Sequence, residues 1–397
     1  MKRVVILGGG TFEPVRNHFA LSAPAFGNTA IKLHKLIPNS ELVLTKMADR
    51  DSNLKSNSDV ENYIDQLLED QNVGTIILNV AFCDFKSLPI DGIENGFHSE
   101  RLKTANGNFS LELTPTNKVI AKIRQKRPDI FLIGFKTTTN KSSDEQFLIA
   151  LQMMKNTKCN LVLANDTVTR NNMVITPEET IYGETTDREK ALQELVDITL
   201  LRNDLTYNRS NFVDTESTSI KTTPDTFQKV IQFLIDNNGF LENNGNGFTP
   251  GHFCYKIDDK SFLSSQRKAN HNLVFTEGMS VVEVEEDKFT VKGKRKASVG
   301  ARSQWLILQQ NPDYDCIIHT HNPLREGSQI PVTEQRPFQC GSLECGINTV
   351  THMKEFDGIM AVYLDKHGAN ILFKSKDNIE KITNFVQENI ELGIKVK

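Results

Sequence analysis

The feature that most constrains this chain lies at its start. Residues 4–16 read VVILGGGTFEPVR, an apolar run that meets three consecutive glycines and then a hydroxyl, a carboxylate and a guanidinium. Val4, Val5, Ile6 and Leu7 are apolar without alternation, the pattern of a central parallel strand covered on both faces. Gly8, Gly9 and Gly10 admit positive φ and leave room for a ligand, so the expectation is a buried strand that empties into a loop. Such a loop presents backbone amides and the Thr11 hydroxyl to a phosphate. A tight β-to-α turn that holds nothing is the alternative. Glu13 and Arg16 follow within one turn's reach of the glycines, and all six positions are candidate binding residues.

The rest of the first half repeats one rhythm. Residues 28–36 carry Ile31, Leu33 and Leu36 at helical spacing, and 40–45 reads as a strand. A second helix over 59–69 collects Val60, Tyr63, Ile64, Leu67 and Leu68 on one face, followed by an apolar run at 75–81. Helices over 116–127 and 144–156 alternate with strands at 130–135 and 160–164. This β-α-β-α-β order is that of an open parallel sheet, whose ligands bind beyond the carboxyl ends of the strands. A chain of 397 residues exceeds what one core supports, about 250–300 residues, so at least two domains are expected. The boundaries read as a Rossmann-like domain over 1–205, a polar linker over 206–223 and a second domain over 224–397.

The opening motif resembles the GGTxEPxDxVR of the phosphopantothenate–cysteine ligase (phosphopantothenoylcysteine synthetase) family, nucleotide-activated enzymes that join cysteine to phosphopantothenate in coenzyme A biosynthesis. The resemblance continues in order through Val80-Ala81-Phe82-Cys83-Asp84-Phe85 (family AVADY), Glu100-Arg101-Leu102-Lys103 (KIKK) and Leu113-Thr114-Pro115-Thr116-Asn117-Lys118 (LxxTPK). It ends with Ile133-Gly134-Phe135-Lys136 (VGFKxET) and Leu163-Ala164-Asn165-Asp166 (IVANDV). It implies a nucleotide, CTP or ATP with Mg2+, and the substrates phosphopantothenate and cysteine. It also implies a catalytic Lys103 and binding roles for Asp84, Phe135, Asn165 and Asp166 beside the six opening residues. Chemistry alone leaves each open: Asp84 meets a ribose or a metal-bound phosphate, or caps a helix. Lys103 offsets charge on a phosphoryl group under attack, or is a solvated lysine. Asn165 and Asp166 read a nucleobase edge or close a turn. Two departures stand out: Ala23 occupies the position of the family's loop asparagine, although an offset brings Asn17 or Asn28 near, and Thr138 replaces the acidic residue of GFKxET.

The second half reads as α+β. A helix over 224–237 carries Phe227, Val230, Ile231, Phe233 and Leu234; a glycine-rich stretch over 243–255 leads into hairpin-like strands at 272–276, 279–284 and 288–291. Its chemical centre is Ile317-Ile318-His319-Thr320-His321. Residues two apart on a strand share a face, so both imidazoles can reach one metal; histidines in a cleft without metal are the alternative. A strand over 359–364 then runs to His367 and Gly368. Together these resemble the AVVHTHS and LLRNHG segments of the class II aldolase/adducin family, which implies that His319, His321 and His367 bind Zn2+ and that the substrate is a sugar phosphate. The family's PSSE glutamate falls on Gly300, which moves no proton, and its Gly-Asn element survives as Gly251-His252. His98, His271 and His352 lack ligand spacing and read as structural, Trp305 reads as core, and 292–296 as a charged turn.

Composition excludes some partners. A net charge of −4 gives no electrostatic footprint for nucleic acid or an anionic membrane, and the apolar runs are strand-sized. Six cysteines without CxxC spacing read as reduced thiols of a cytoplasmic protein. A homo-oligomer is expected. Three functions remain open: a coenzyme A pathway ligase with an appended aldolase-like domain, a zinc lyase or dehydratase of a sugar phosphate, and a non-catalytic binding or scaffolding protein.

Overall fold

The computed structural model describes residues 2–90, 92–207, 210–242, 247–286 and 288–396. The chain divides into two compact units, Met1–Pro177 with Ile181–Asn203, and Glu178–Thr180 with Asp204–Lys397. Among the described residues no helix is long and apolar enough to cross a membrane.

In the first unit β1 (Arg3–Arg16), β2 (Phe19–Ala23), α1 (Asn28–Leu36), β3 (Glu41–Leu44), α2 (Asn57–Glu69), β4 (Val73–Ala81), β5 (Phe85–Ser87) and β6 (Leu113–Pro115) come first. They are followed by α3 (Val119–Lys126), β7 (Phe131–Thr138), α4 (Ser143–Thr157), β8 (Leu161–Asp166), β9 (Asn172–Ile175), β10 (Ile181–Thr185) and α5 (Arg188–Arg202). The parallel strands lie in the order β3-β1-β4-β7-β8. The winding therefore reverses between β1 and β4, the place where an open α/β sheet takes its ligand. One face of the sheet packs on Ala30 and Leu33 of α1 with Ala191, Leu192 and Leu195 of α5. The other packs on Val60 and Ile64 of α2, Ile123 of α3 and Leu151 of α4. Ser56 and Asp59 start α2, and Ser142 and Glu145 start α4, as reciprocal capping boxes. The sheet is not wholly parallel: β9 and β10 add to one edge antiparallel, and β2 folds back on β1.

The glycine triplet departs from expectation. Gly8, Gly9 and Gly10 do not leave the strand; β1 runs through them to Arg16. Packing is the reason. A Cβ on Gly8 would lie 2.3 Å from the Ala30 methyl of α1, and one on Gly10 would lie 2.1 Å from the Ala23 carbonyl oxygen of β2. Gly9 holds φ 110°, where its Cβ would meet the Thr45 hydroxyl.

The second unit contains β11 (Ser210–Asp214), α6 (Asp225–Asp236), β12 (His252–Lys256), β13 (Ser261–Ser264), α7 (Val274–Glu277), β14 (Ser280–Glu285), β15 (Lys288–Gly293) and α8 (Ala301–Gln310). It continues with β16 (Cys316–Thr320), β17 (Val332–Thr333), α9 (Leu343–His352), β18 (Lys354–Phe356), β19 (Ile359–Leu364), β20 (Gly368–Phe373) and α10 (Ile379–Asn389). The sheet order is β11-β15-β14-β13-β12-β16-β20-β19-β17, antiparallel from β15 to β19. Phe227, Val230 and Leu234 of α6 share one core with Ile382 and Val386 of α10, while Ile307 and Leu308 of α8 cover the opposite face. Trp305 stacks on Phe262 at 5.5 Å, partly buried rather than fully enclosed. Two sequence readings change here. The stretch 272–276 is not a strand but a 3-10 turn, His271–Leu273, running into α7. Within 206–223, β11 pairs with β15; residues 208–209 of that stretch and 243–246 of the glycine-rich one lie outside the described residues.

Candidate functional site

Each unit gathers polar groups at one end of its sheet. In the first unit, several residues of the opening motif are held by the fold itself. Thr11 is buried, donates to Asn57 Oδ1 at 2.6 Å and accepts the Cys83 amide at 3.0 Å, so its hydroxyl is not offered to a phosphate. Arg16 is buried and donates to the carbonyls of Val15 and Ile90 and to Asn95 Oδ1, which ties Ile90 and Asn95 to the end of β1. Burial raises the half-buried Glu13 carboxyl, against the opposing pull of the Asn57 amide.

Asp166 is buried as well. Its carboxylate accepts from the amides of Asn140, Lys141, Val168 and Thr169 and from the Thr138 hydroxyl. Burial would raise it, but the amides of Thr169, Lys141 and Val168 and the Thr138 hydroxyl outweigh burial and hold it well below the usual carboxylate range. Asp166 therefore closes the turns after β7 and β8, and Thr138, where the acidic residue was expected, serves that closure. Neighbouring Asn165 stays partly exposed beside Thr137, and Phe135 is partly buried against the α1 and α5 core. Asp84 is exposed and pairs with Lys118. Lys103 is exposed, on the residue before a short 3-10 turn, Thr104–Asn106. Ala23 ends β2, and exposed Asn28 begins α1.

One cation escaped sequence reading. Arg188 opens α5, partly buried, and donates to Asn172 Oδ1 at 2.8 Å and Thr29 Oγ1 at 3.3 Å. Among the described residues no carboxylate lies within ion-pair distance of it, and burial lowers its pKa; the adjacent Glu189 pairs with Lys32. Thr29 belongs to the first turn of α1, whose N-terminus has no side-chain cap and no acidic residue. The signal available in the sequence was an arginine at a helix N-terminus, where the dipole disfavours a cation.

In the second unit β16 carries His319, and His321 follows directly after it. β20 pairs with β16 so that His319 faces Asn370 and Thr320 faces Ala369, which brings His367 beside both. The approach is close because Gly368, at φ 146°, has no Cβ; one would lie 1.9 Å from the Thr320 carbonyl oxygen. The three rings stand edge to face, with centroids 4.7–5.0 Å apart. One ligand nitrogen from each lies within 4.8 Å of the others. His319 Nδ1 meets the Ala369 carbonyl at 2.9 Å. A carbonyl only accepts, so Nδ1 carries the proton and Nε2 presents its lone pair. That Nε2 is buried and has no hydrogen-bond partner among the described residues.

Burial, then the neighbouring rings, lower His319 and His321 well below the ordinary histidine range, with Lys395 adding to the effect on His321. Neutral imidazoles are the form that binds metal. The amide of Val396 donates to the His321 carbonyl and the Thr180 hydroxyl to that of Lys366. The remaining histidines are structural or exposed: burial pushes His271 down to about 4, its Nδ1 sits 2.6 Å from Thr249 Oγ1, and His352 bonds the Asn348 carbonyl within α9.

Comparison with known proteins gives the two halves different standing. The Coenzyme A biosynthesis bifunctional protein CoaBC of Thermococcus kodakarensis is 26% identical over 175 residues, 41% of this chain and 41% of the relative, so the match spans less than half of that relative's length. Among solved structures, the DNA/pantothenate metabolism flavoprotein from Streptococcus pneumoniae aligns with a TM-score of 0.41 at 17% identity, over 50% of this chain and 97% of its own. The L-fuculose-1-phosphate aldolase from Thermus thermophilus aligns with a TM-score of 0.29 at 15% identity, over 41% and 89%. Residues 35–196, which supply β4, β7 and β8 of the first unit, match the family described as the DNA/pantothenate metabolism flavoprotein C-terminal domain.

Proposed function

We propose that the first unit binds a nucleotide, CTP or ATP with Mg2+, at the carboxyl ends of β1, β4, β7 and β8, and joins phosphopantothenate to cysteine. The observation that carries this reading is the family match over 35–196, which takes in β4, β7 and β8 and leaves out β1. In the reaction the carboxylate of phosphopantothenate attacks the α-phosphorus and pyrophosphate leaves; the cysteine amine then attacks the acyl carbon and the nucleoside monophosphate leaves. Lys103 supplies positive charge to the phosphoryl group under attack. Arg188, with the uncapped first turn of α1, holds an anionic group of the substrates, and Asn28 at that turn takes the amide role that Ala23 lacks. Phe135 and Asn165 border the nucleoside. Calorimetric titration with CTP and ATP, with and without Mg2+, tests binding, and pyrophosphate release with phosphopantothenate and cysteine tests turnover. Absence of binding for both nucleotides at millimolar concentration removes the reading; binding without turnover leaves a ligand-binding module.

A second reading concerns the second unit and is supported by the convergence of His319, His321 and His367. The donor set suits a divalent ion, Zn2+ foremost, with one coordination position open. Such an ion would polarise a carbonyl and stabilise an enediolate of a sugar phosphate, the chemistry of an aldolase or dehydratase. Gly300 provides no proton-transfer group, so turnover requires another side chain or is absent. Metal analysis of tag-free protein checks it: near-stoichiometric zinc lost in His319→Ala and His367→Ala supports the centre, and protein that refuses added zinc rules it out.

A further inference from the structure

His252 begins β12 and stands opposite His319 in the antiparallel pair with β16. Its ring stacks on that of His319 with centroids 4.5 Å apart and planes at 27°. Its Nδ1 is held by the side-chain amide of Gln304 on α8. The ring is buried, 6% exposed, and it lies against Gly300, the residue that precedes α8.

Gly300 has φ −71° and ψ −5°, backbone that any residue adopts. Conformation therefore does not require glycine there; space does. A Cβ at residue 300 would lie 2.4 Å from His252 Nε2, 2.7 Å from Cδ2 and 3.2 Å from Cε1. All three atoms belong to a ring that β12 on one side and Gln304 on the other keep in place.

We propose that His252 is a positioning residue of the three-histidine centre: wedged between Gly300 and His319, it holds the His319 ring so that Nε2 faces His321 and His367. The Ala369 carbonyl fixes the far edge of the His319 ring, and His252 covers its face. Gly300 and His252 act as one exchange, because the missing side chain at 300 is what admits the ring. A glutamate placed at residue 300 therefore does not enter the site while His252 is present. The inference rests on the metal reading of the second unit and goes beyond it in assigning roles to residues that touch no metal.

The test is a double-mutant cycle on the full chain, Gly300→Ala, His252→Ala and both together, read by titration of Co2+ into metal-free protein through its visible absorption and by competition with a chelator. Residues that orient a metal ligand typically contribute 10–100-fold in affinity. We expect each single variant to bind Co2+ about 10–100-fold more weakly than wild type, and the double variant to bind no more weakly than His252→Ala. Wild-type affinity in either single variant, or losses that multiply in the double, overturns the proposal. Thermal melting supplies a readout that needs no metal. Gly300→Ala should lower Tm when His252 is present and not in the His252→Ala background. Equal losses in both backgrounds overturn the wedge even if wild type binds no Co2+, an outcome that by itself removes only the metal reading.

Discussion

The two units invite the same reading, a chemically conspicuous motif at the end of an apolar strand, and the structure treats the two motifs in opposite ways. In the first unit the conspicuous groups turn inward: Gly8, Gly9 and Gly10 are crossing points for α1, the chain after β3 and β2, Thr11 bonds Asn57, and Arg16 ties down Ile90. In the second unit His319, His321 and His367 turn toward one another. The lesson concerns what each residue type tells. A glycine's smallness serves a ligand and a neighbouring backbone equally well, so glycines alone do not separate the two. Paired histidines on a strand share a face by geometry, and burying His319 and His367 beside a partly buried His321 is costly without a further purpose.

The comparison breaks most visibly at Gly10. Gly10→Ala places a methyl against the backbone of β2 at 2.1 Å from the Ala23 carbonyl, and we expect a loss of about 3 kcal/mol or more in the stability of the first unit. Denaturant unfolding checks it. A variant that folds normally and loses only nucleotide binding would return the glycines to a ligand role.

The counterpart in the second unit is His367→Ala, which should abolish stoichiometric zinc while the denaturant midpoint of the first unit stays put; metal analysis beside the unfolding curve makes the contrast.

Asp166 sharpens the comparison through pH. Its carboxyl is held below its ordinary value by the hydrogen bonds it accepts, so its contribution to stability is fully present above the unfolded-state value of about 3.9 and is lost as pH falls through it toward the folded-state value. Asp166→Asn should lower Tm at neutral pH and flatten the acid side of the Tm profile between about pH 5 and 3. An unchanged profile would mean that this carboxylate is not the closure of the two turns.

The smallest structural effect belongs to Lys103. It is exposed, so Lys103→Ala should leave stability within about 0.5 kcal/mol while slowing pyrophosphate release. Unchanged release in an active wild type would make Lys103 a solvated surface residue.

Much of the fold was legible because each element repeats a simple period. The helices expected over 28–36, 59–69 and 144–156 are α1, α2 and α4 within a residue or two, and the apolar runs at 75–81 and 130–135 are β4 and β7. The misses have physical causes. Residues 272–276 have a strand-like run, Leu273, Val274 and Phe275, but their backbone follows a 3-10 turn capped by Asn270, and Gly278 ends the helix. The polar 210–214 stretch lacks a strand's apolar alternation because it needs only an edge place beside β15. Arg188 was missed because first-turn position gives no hint that the side chain reaches Thr29, far away in sequence.

What the sequence determined by itself is the part carried by local period and spacing: the β-α alternation behind the parallel strands β3, β1, β4, β7 and β8, the amphipathic α6, and the i, i+2 spacing of His319 on β16 and His321 just after it. What only the tertiary structure decided is where distant chain segments meet. The third histidine joins because β20 pairs with β16 at one register and Gly368 lets the strands close. His252 occupies the room at residue 300 because β12 pairs on the other side of β16. Strand register is set by hydrogen bonding and packing across the whole sheet rather than by any one stretch, so no local reading contains it.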